Sequence, residues 1–195
     1  MVLMSGYLWF GFALVWMLWA IRTKPTERRE SILSRLSYAL VLPPGFYLIF
    51  ARRVPIHWLN AQVLPDIAWV REAGVALTAA GLLFAIWARL YLGTNWSGTV
   101  TVKVGHELVR SGPYRWVRHP IYSGLLLASL GTAAERGEMR GVFAVAFIFA
   151  GFWMKLRTEV RFMADVFGSK YAEYKRDTGA LIPRVIRGGR DNTHS

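Results

Sequence analysis

The sequence predicts an all-α integral membrane protein with about five transmembrane helices and a cytoplasmic helical segment at its C-terminal end. Three observations predict this. Hydrophobic residues make up 54% of the 195 residues, with nine tryptophans among them. Long stretches are almost free of charge, beginning with Leu3 to Ile21, close to the roughly 20 residues that cross a hydrocarbon core. The net charge of +12 is concentrated between alternate apolar blocks, the pattern of cytoplasmic loops.

The first block reads as a retained span. No Lys or Arg precedes it, and Arg22-Thr23-Lys24-Pro25 follows where a cleaved signal would carry small residues. The second, Leu36–Ala51, contains Pro43-Pro44, which is expected to kink or break it because proline lacks the donor and crowds the preceding turn. The third, Ile67–Leu92, carries only Arg71, Glu72 and Arg89, all near its ends. The fourth and fifth, Pro120–Ala134 and Gly141–Met154, are short and are expected to extend into interfacial residues. Glu135–Arg140 between them reads as a tight helix–helix turn. Composition changes at Lys155. Arg157–Tyr174 suits an amphipathic helix packing through Phe162, Phe167, Tyr171 and Tyr174, with Gly168 as a break and Thr178-Gly179 and Pro183 as stops. Gly188–Ser195 reads as a disordered tail. The whole is one domain, with N-terminal spans over 1–66, a core over 67–187 and the tail over 188–195.

Charge sets the orientation. With the N-terminus outside, the first inner loop holds Arg22, Lys24, Arg28 and Arg29, with Arg35 at its edge. The second holds Lys103, Arg110, Arg115 and Arg118, and the inner tail is more basic still. The outer loops hold only Arg52, Arg53, Arg136 and Arg140. Five spans satisfy every loop; an even number would put a basic segment outside. The basic inner loops suit anionic membrane lipids, and the apolar blocks argue against a nucleic-acid partner. Without cysteine there is no disulfide, thiol nucleophile or thiolate metal site. His57, His106, His119 and His194 have no paired ligand spacing, so no metal site is expected.

Three polar segments fall on the inner face. Leu92-Gly93-Thr94-Asn95-Trp96-Ser97 offers a tryptophan at interfacial depth, which also suits a simple membrane anchor. His106–Gly124 holds Gly112-Pro113, a turn that leaves backbone groups free, then Tyr114, Arg115, Arg118, His119, Pro120 and Tyr122. Pro120 fits the first turn of a helix. That places His119 on its N-cap side, where the dipole and free N–H groups favour an anion. Lys155–Arg161 carries Glu159 between Arg157 and Arg161. Polar groups at the mouth of a membrane helix are costly and mark function, although Glu159 alone is equally compatible with an i,i+4 charge pair.

These segments resemble a known family. His106–Gly124 (HELVRSGPYRWVRHPIYSG), LGTNWS upstream and Glu159–Pro183 downstream are similar to the isoprenylcysteine carboxyl methyltransferases, integral-membrane enzymes that use S-adenosylmethionine and release S-adenosylhomocysteine. The likeness covers about the C-terminal 105 residues; the first two spans match only in kind. It implies carboxyl O-methylation of an isoprenylcysteine or similar lipid-like acceptor entering from the bilayer. It also implies a cofactor pocket at the inner ends of the last helices, formed with the tail. His119, Pro120 and Tyr122 would line that pocket with Leu108, Val109, Gly112 and Tyr114. Glu159 would contact the cofactor's polar groups, and Arg118 and Arg157 would steer the acceptor's carboxylate. One departure stands out: the family usually has adjacent glutamates where this chain has Glu159-Val160. No Gly-x-Gly-x-x-Gly follows a strand, so a doubly wound cofactor domain is not expected.

The core is less specific for the acceptor. Phospholipid N-methyltransferases and membrane thiol methyltransferases have similar cores. A sterol-reductase-like protein shares an Arg-His-x-x-Tyr element but is much longer, and a lipid-binding scaffold explains the charge without using His119, Tyr122 or Glu159.

Overall fold

The computed structural model describes residues 4–20, 26–96, 101–103 and 108–184. His106, Ser97, Arg22-Thr23-Lys24-Pro25 and the expected disordered tail over 188–195 lie outside the described residues. Five helices carry the architecture: α1 (Met4–Ala20), α2 (Ile32–Phe50), α3 (Ala68–Leu92), α4 (Pro120–Arg136) and α5 (Met139–Asp177). Of these, α2, α3 and α5 are long and apolar enough to cross a membrane, and α1 is a shorter apolar helix. The all-α expectation needs one addition. Strands β1 (Thr26–Arg29) and β2 (Thr101–Lys103) form an antiparallel ribbon with Thr26 opposite Lys103 and Arg29 opposite Thr101. The ribbon ties the loop before α2 to the loop after α3.

Helices α3 and α4 run antiparallel at backbone contact. Gly74, Thr78, Gly81 and Ala85 on α3 meet Gly124, Ala128, Gly131 and Glu135 on α4. Residues without bulk at this spacing let two helix backbones approach, which is how helices associate where no hydrophobic drive separates protein from lipid. Along α2 and α5 the same device recurs. Gly45 fits against Ala144 and Ile148, and Gly151 fits against Leu42, so these two helices are also antiparallel. The first helix lies along α3 and α4. Glu135 accepts from the backbone N–H groups of Met4 and Ser5 at 2.7 and 3.1 Å, capping the start of α1. Trp9 Nε1 donates to Thr132 Oγ1 at 2.9 Å. At the other end of α1, Arg89 donates to the Trp19 carbonyl at 3.1 Å. The helices thus alternate in direction. The start of α2, the end of α3, the start of α4 and the middle of α5 share one end of the bundle.

Helix α2 differs from the sequence reading in two respects. Helix α2 begins at Ile32 rather than Leu36, because Ser31 caps it, its Oγ accepting from Ser34 N at 3.2 Å. It also runs unbroken through Pro43 and Pro44. Both rings are exposed on the outer side of the helix while Tyr38, Gly45 and Ile49 are buried, so the prolines forgo backbone bonds without intruding on the packing face. The expected turn between the last helices is present. Gly137 adopts the left-handed conformation (φ 71°) and ends α4, and α5 starts two residues on. The fifth span and the amphipathic segment form one 39-residue element, interrupted where Gly168 leaves the helical conformation (φ 51°, ψ −123°).

After α5 the chain turns back. Arg118 N donates to Gly179 O at 2.9 Å and His119 N donates to Ala180 O at 3.0 Å. Ser123 Oγ donates to Leu181 O at 2.7 Å. Gly179 is needed for this return, since a Cβ there would lie 1.8 Å from the Ile182 carbonyl oxygen. The returning segment covers the start of α4.

Candidate active site

Helix α4 opens with His119 at its N-cap (φ −125°, ψ 59°) and Pro120 inside the first turn. The imidazole does not cap the helix. It turns inward, and Nδ1 lies 3.1 Å from Glu159 Oε2. Three residues on, Tyr122 shares its face. The two rings stack with centroids 5.7 Å apart, and Tyr122 stacks in turn on Phe152 at 5.0 Å. The Tyr122 hydroxyl donates to Glu159 Oε1. One carboxylate on α5 therefore gathers the imidazole and the phenol of α4, a closure across 40 residues of sequence.

The burial of this group decides what it can do. The His119 side chain is 7% exposed and that of Glu159 is 23% exposed, and both carboxylate oxygens are engaged. Its imidazole partner keeps a buried Nε2 with no hydrogen-bond partner. With a carboxylate at Nδ1, the favoured neutral tautomer carries its proton there and leaves Nε2 as an acceptor. Leaving such an atom unsatisfied costs about 1–3 kcal/mol, a deficit that a ligand N–H or O–H donor would remove.

The turn before α4 forms the adjoining wall. Gly112 sits at φ 57°, where a Cβ would strike the Tyr91 ring at 2.5 Å; a side chain is excluded there on both counts. Pro113 and Tyr114 are buried, and burial pushes the Tyr114 phenol well above its ordinary range, keeping it neutral. The Tyr114 carbonyl accepts from the Tyr174 hydroxyl at 2.6 Å. Val109 packs against the core cluster that contains Tyr114, Tyr122 and Phe152, and Leu108 beside it is half-buried. Trp96 packs on the same cluster under the Arg89 guanidinium, which lies 4.6 Å from its ring centroid.

His119, Pro120, Tyr122, Glu159, Tyr114 and Val109 thus converge, with Leu108 and Gly112 alongside. The two arginines do not join them as expected. Arg118 donates to the carbonyls of Lys175 and Thr178, where a cation satisfies the orphan acceptors at the end of α5. Its guanidinium holds the tail rather than facing Glu159. Arg157 stacks on Trp153 at 5.5 Å on the exposed side of α5. Two residues from Glu159, it points to the opposite face, as helix geometry requires. Arg118→Ala is expected to loosen the return of the tail. Hydrogen exchange should quicken over residues 178–182, and stability should fall by about 1–3 kcal/mol for a charged donor lost from carbonyls. Unchanged exchange with a raised acceptor KM would restore the acceptor role.

The sequence reading missed Tyr38 and Glu30, both buried beside the site. An acid directly ahead of the Ser31 cap was the available signal for Glu30.

The fold and site together define an apolar helical bundle with a buried imidazole–phenol–carboxylate group at one end. The chain belongs to the phospholipid methyltransferase family, whose profile matches residues 69–170. It is 35% identical over 129 residues to the cobalt-zinc-cadmium resistance protein CzcN of Cupriavidus metallidurans, covering 66% of this chain and 54% of that one. It is 30% identical over 122 residues to protein-S-isoprenylcysteine O-methyltransferase A of Arabidopsis thaliana, covering 60% and 61%. Against the human protein-S-isoprenylcysteine O-methyltransferase the identity is 28% over 125 residues, covering 63% and 44%. The match thus spans about half the length of these curated relatives. Among solved structures, the fold is shared with the eukaryotic intramembrane Ras methyltransferase, an isoprenylcysteine carboxyl methyltransferase (TM-score 0.54, 24% identity, 76% of this chain and 52% of that one).

Proposed function

We propose that this chain is an S-adenosylmethionine-dependent carboxyl O-methyltransferase of the isoprenylcysteine type, acting at the cytoplasmic face of a membrane crossed by five helices. The observation that carries the reading is the closure of His119 and Tyr122 on Glu159, with the open acceptor at His119 Nε2. The residues fit the cofactor. Glu159 suits its ribose hydroxyls or amino group, Nε2 suits a donor, and the apolar ring stack of Tyr122 and Phe152 suits its uncharged body. When bound, the cofactor supplies a methyl group on a cationic sulfur, which an acceptor carboxylate oxygen displaces to give a methyl ester and neutral S-adenosylhomocysteine. A carboxylate acceptor, with a pKa of about 3.5, is already ionised at neutral pH and asks no side chain for a general base. The protein's task is alignment and exclusion of water. The tail docked over the start of α4 closes the water side, and the apolar helices leave the bilayer side to a lipid-like acceptor.

The basic loops, suited to anionic lipids, support an orientation with the N-terminus outside and the site and C-terminus cytoplasmic. A phospholipid amine is the second reading, favoured by the name of the matching family; a small thiol would suit the same fold. Purified protein should be offered labelled S-adenosylmethionine with farnesylcysteine, phosphatidylethanolamine or a small thiol. Base-labile label on the prenylated acid is the expected result. Label in the lipid headgroup or the thiol alone would overturn the acceptor. No label anywhere, together with no calorimetric binding of S-adenosylhomocysteine, would overturn the enzyme.

A further inference from the structure

At the end of the bundle opposite Glu159 lies an apolar groove of about 330 Å³, within the size range of small-molecule sites. Leu64 and Pro65 line it from the loop before α3, Trp69, Ala73 and Leu77 from α3, and Ala134 from the end of α4. The three α3 residues are four apart in sequence and so share one face. They cover a little over two turns, about 12 Å along the helix axis. The loop wall is fixed in place. Val63 N and Leu64 N both donate to Gly137 O, at 2.7 and 3.0 Å, and Met139 N donates to Ala61 O at 2.9 Å. The groove is therefore preformed, with one side pinned to the turn between α4 and α5.

Two features point to its occupant. Helix α3 is long and apolar enough to cross a membrane, so a groove along its axis runs in the direction of the lipid chains. Every lining side chain is apolar, and Leu64, Trp69 and Leu77 stay exposed. The loop end, by contrast, carries charge of both signs. Asp66 follows Pro65, and Arg71 follows Val70, itself a lining residue. Arg71 Nη1 donates to Asp66 Oδ1 at 2.6 Å, and the two side chains are 37% and 64% exposed. Each keeps capacity for a further partner. A headgroup with an ammonium and a phosphate matches this pair: the ammonium donates to Asp66 and the phosphate accepts from Arg71.

We infer that this groove is a binding site for one zwitterionic phospholipid of the surrounding bilayer. One acyl chain lies along Trp69, Ala73 and Leu77, and the headgroup ammonium and phosphate meet Asp66 and Arg71. The site is separate from the group around Glu159, since the start of α3 and the end of α4 lie at the other end of the bundle. It is independent of the methyl acceptor. Its occupant bears on the fold. Gly74, which also lines the groove, is in backbone contact with Gly131 and Glu135 of α4. A bound chain covers the edge of the α3–α4 seam and stabilises the folded protein, as any ligand of the native state does.

The test is native mass spectrometry and thermal melting of the full chain in detergent. It is titrated with phosphatidylethanolamine and, separately, with phosphatidylglycerol, which has the phosphate without the ammonium. Wild type is expected to retain one phosphatidylethanolamine and to melt higher with it. Its affinity should exceed that for phosphatidylglycerol by about two- to fivefold, the size of an exposed ion-pair contribution. Ala73→Phe puts a ring into the groove from an exposed position, so it should fold. It should lose about tenfold or more in lipid affinity, and the rise in melting point with it. Ala134→Leu obstructs the groove from α4 and should act in the same direction. Asp66→Asn with Arg71→Gln should keep an adduct but lose the preference between the two lipids. Equal retention by wild type and Ala73→Phe would mean unspecific boundary lipid only and overturn the site. Equal affinity of the wild type for both lipids would overturn the headgroup assignment. A wild-type dimer that Ala73→Phe dissociates would make the groove a contact between copies and overturn it as a lipid site. None of these outcomes touches the methyl transfer proposed for the other end of the bundle.

Discussion

Glu159→Gln is expected to lose one to two orders of magnitude in affinity for S-adenosylhomocysteine while its melting point changes little. The amide keeps the size of the carboxylate and can still accept from the Tyr122 hydroxyl and pair with His119 Nδ1, so the fold holds, but it has no charge with which to bind a cofactor hydroxyl or ammonium. Hydrogen bonds to charged groups are worth about 1.5–3 kcal/mol, which is about 10- to 150-fold in affinity. His119→Ala should show a loss of similar size, since it removes both the partner that orients the carboxylate and the open Nε2. Tyr122→Phe should lose less, because the ring stack on Phe152 survives and only the hydroxyl goes. Calorimetry on the three variants checks the order. Wild-type affinity in His119→Ala would remove the imidazole from the site.

How far the sequence exposed this site depends on the range of each contact. His119 and Tyr122 share a face by helical spacing alone, and Pro120 announces where that helix begins. Glu159 was legible only as an acid at the membrane exit of a later helix, and its pairing with His119 needed the resemblance. Arg157 illustrates a rule that sequence reasoning could have used, because residues two apart on a helix face opposite ways. Arg118 was illegible, since the carbonyls that claim its guanidinium, those of Lys175 and Thr178, lie at the far end of α5, 57 and 60 residues on. Glu30 and Tyr38 were illegible for the same reason: they reach the site through the packing of α2 on α5, which no local pattern encodes.

The fold shows a similar division. Helix α3 follows directly from one apolar run, and the α4–α5 turn follows from Gly137 among charged residues. The continuity of α2 through Pro43-Pro44 does not follow, because the cost of proline depends on which way the ring points once the helix is packed. The start of α2, the end of α3, the start of α4 and the middle of α5 are brought together by two antiparallel seams, α2 with α5 and α3 with α4. The site therefore inherits its geometry from close backbone packing some distance away from it.

That dependence makes the α3–α4 seam the place where one methyl group should do the most damage. A Cβ at Gly131 would lie 2.4 Å from Thr78 N and 2.6 Å from Gly74 O. At Gly81 it would lie 2.5 Å from Ala128 N and from Gly124 O. These neighbours are backbone, so no rotamer change relieves the clash and the helices must part. Overpacking a core costs about 1–3 kcal/mol where side chains can shift, and a backbone collision should exceed that. Gly131→Val and Gly81→Val are therefore expected to give the lowest melting points of any single substitution discussed for this protein, with cofactor binding lost alongside because α4 carries His119. Gly11→Ala is the control: nothing lies within 4 Å of its Cβ position, and alanine is favoured over glycine in a helix by up to about 1 kcal/mol, so stability should hold or rise. Thermal melts in detergent with and without S-adenosylhomocysteine separate the cases. A Gly131→Val protein that melts like the wild type would mean that the two helices are not in backbone contact, and the placement of His119 opposite Glu159 would lose its support.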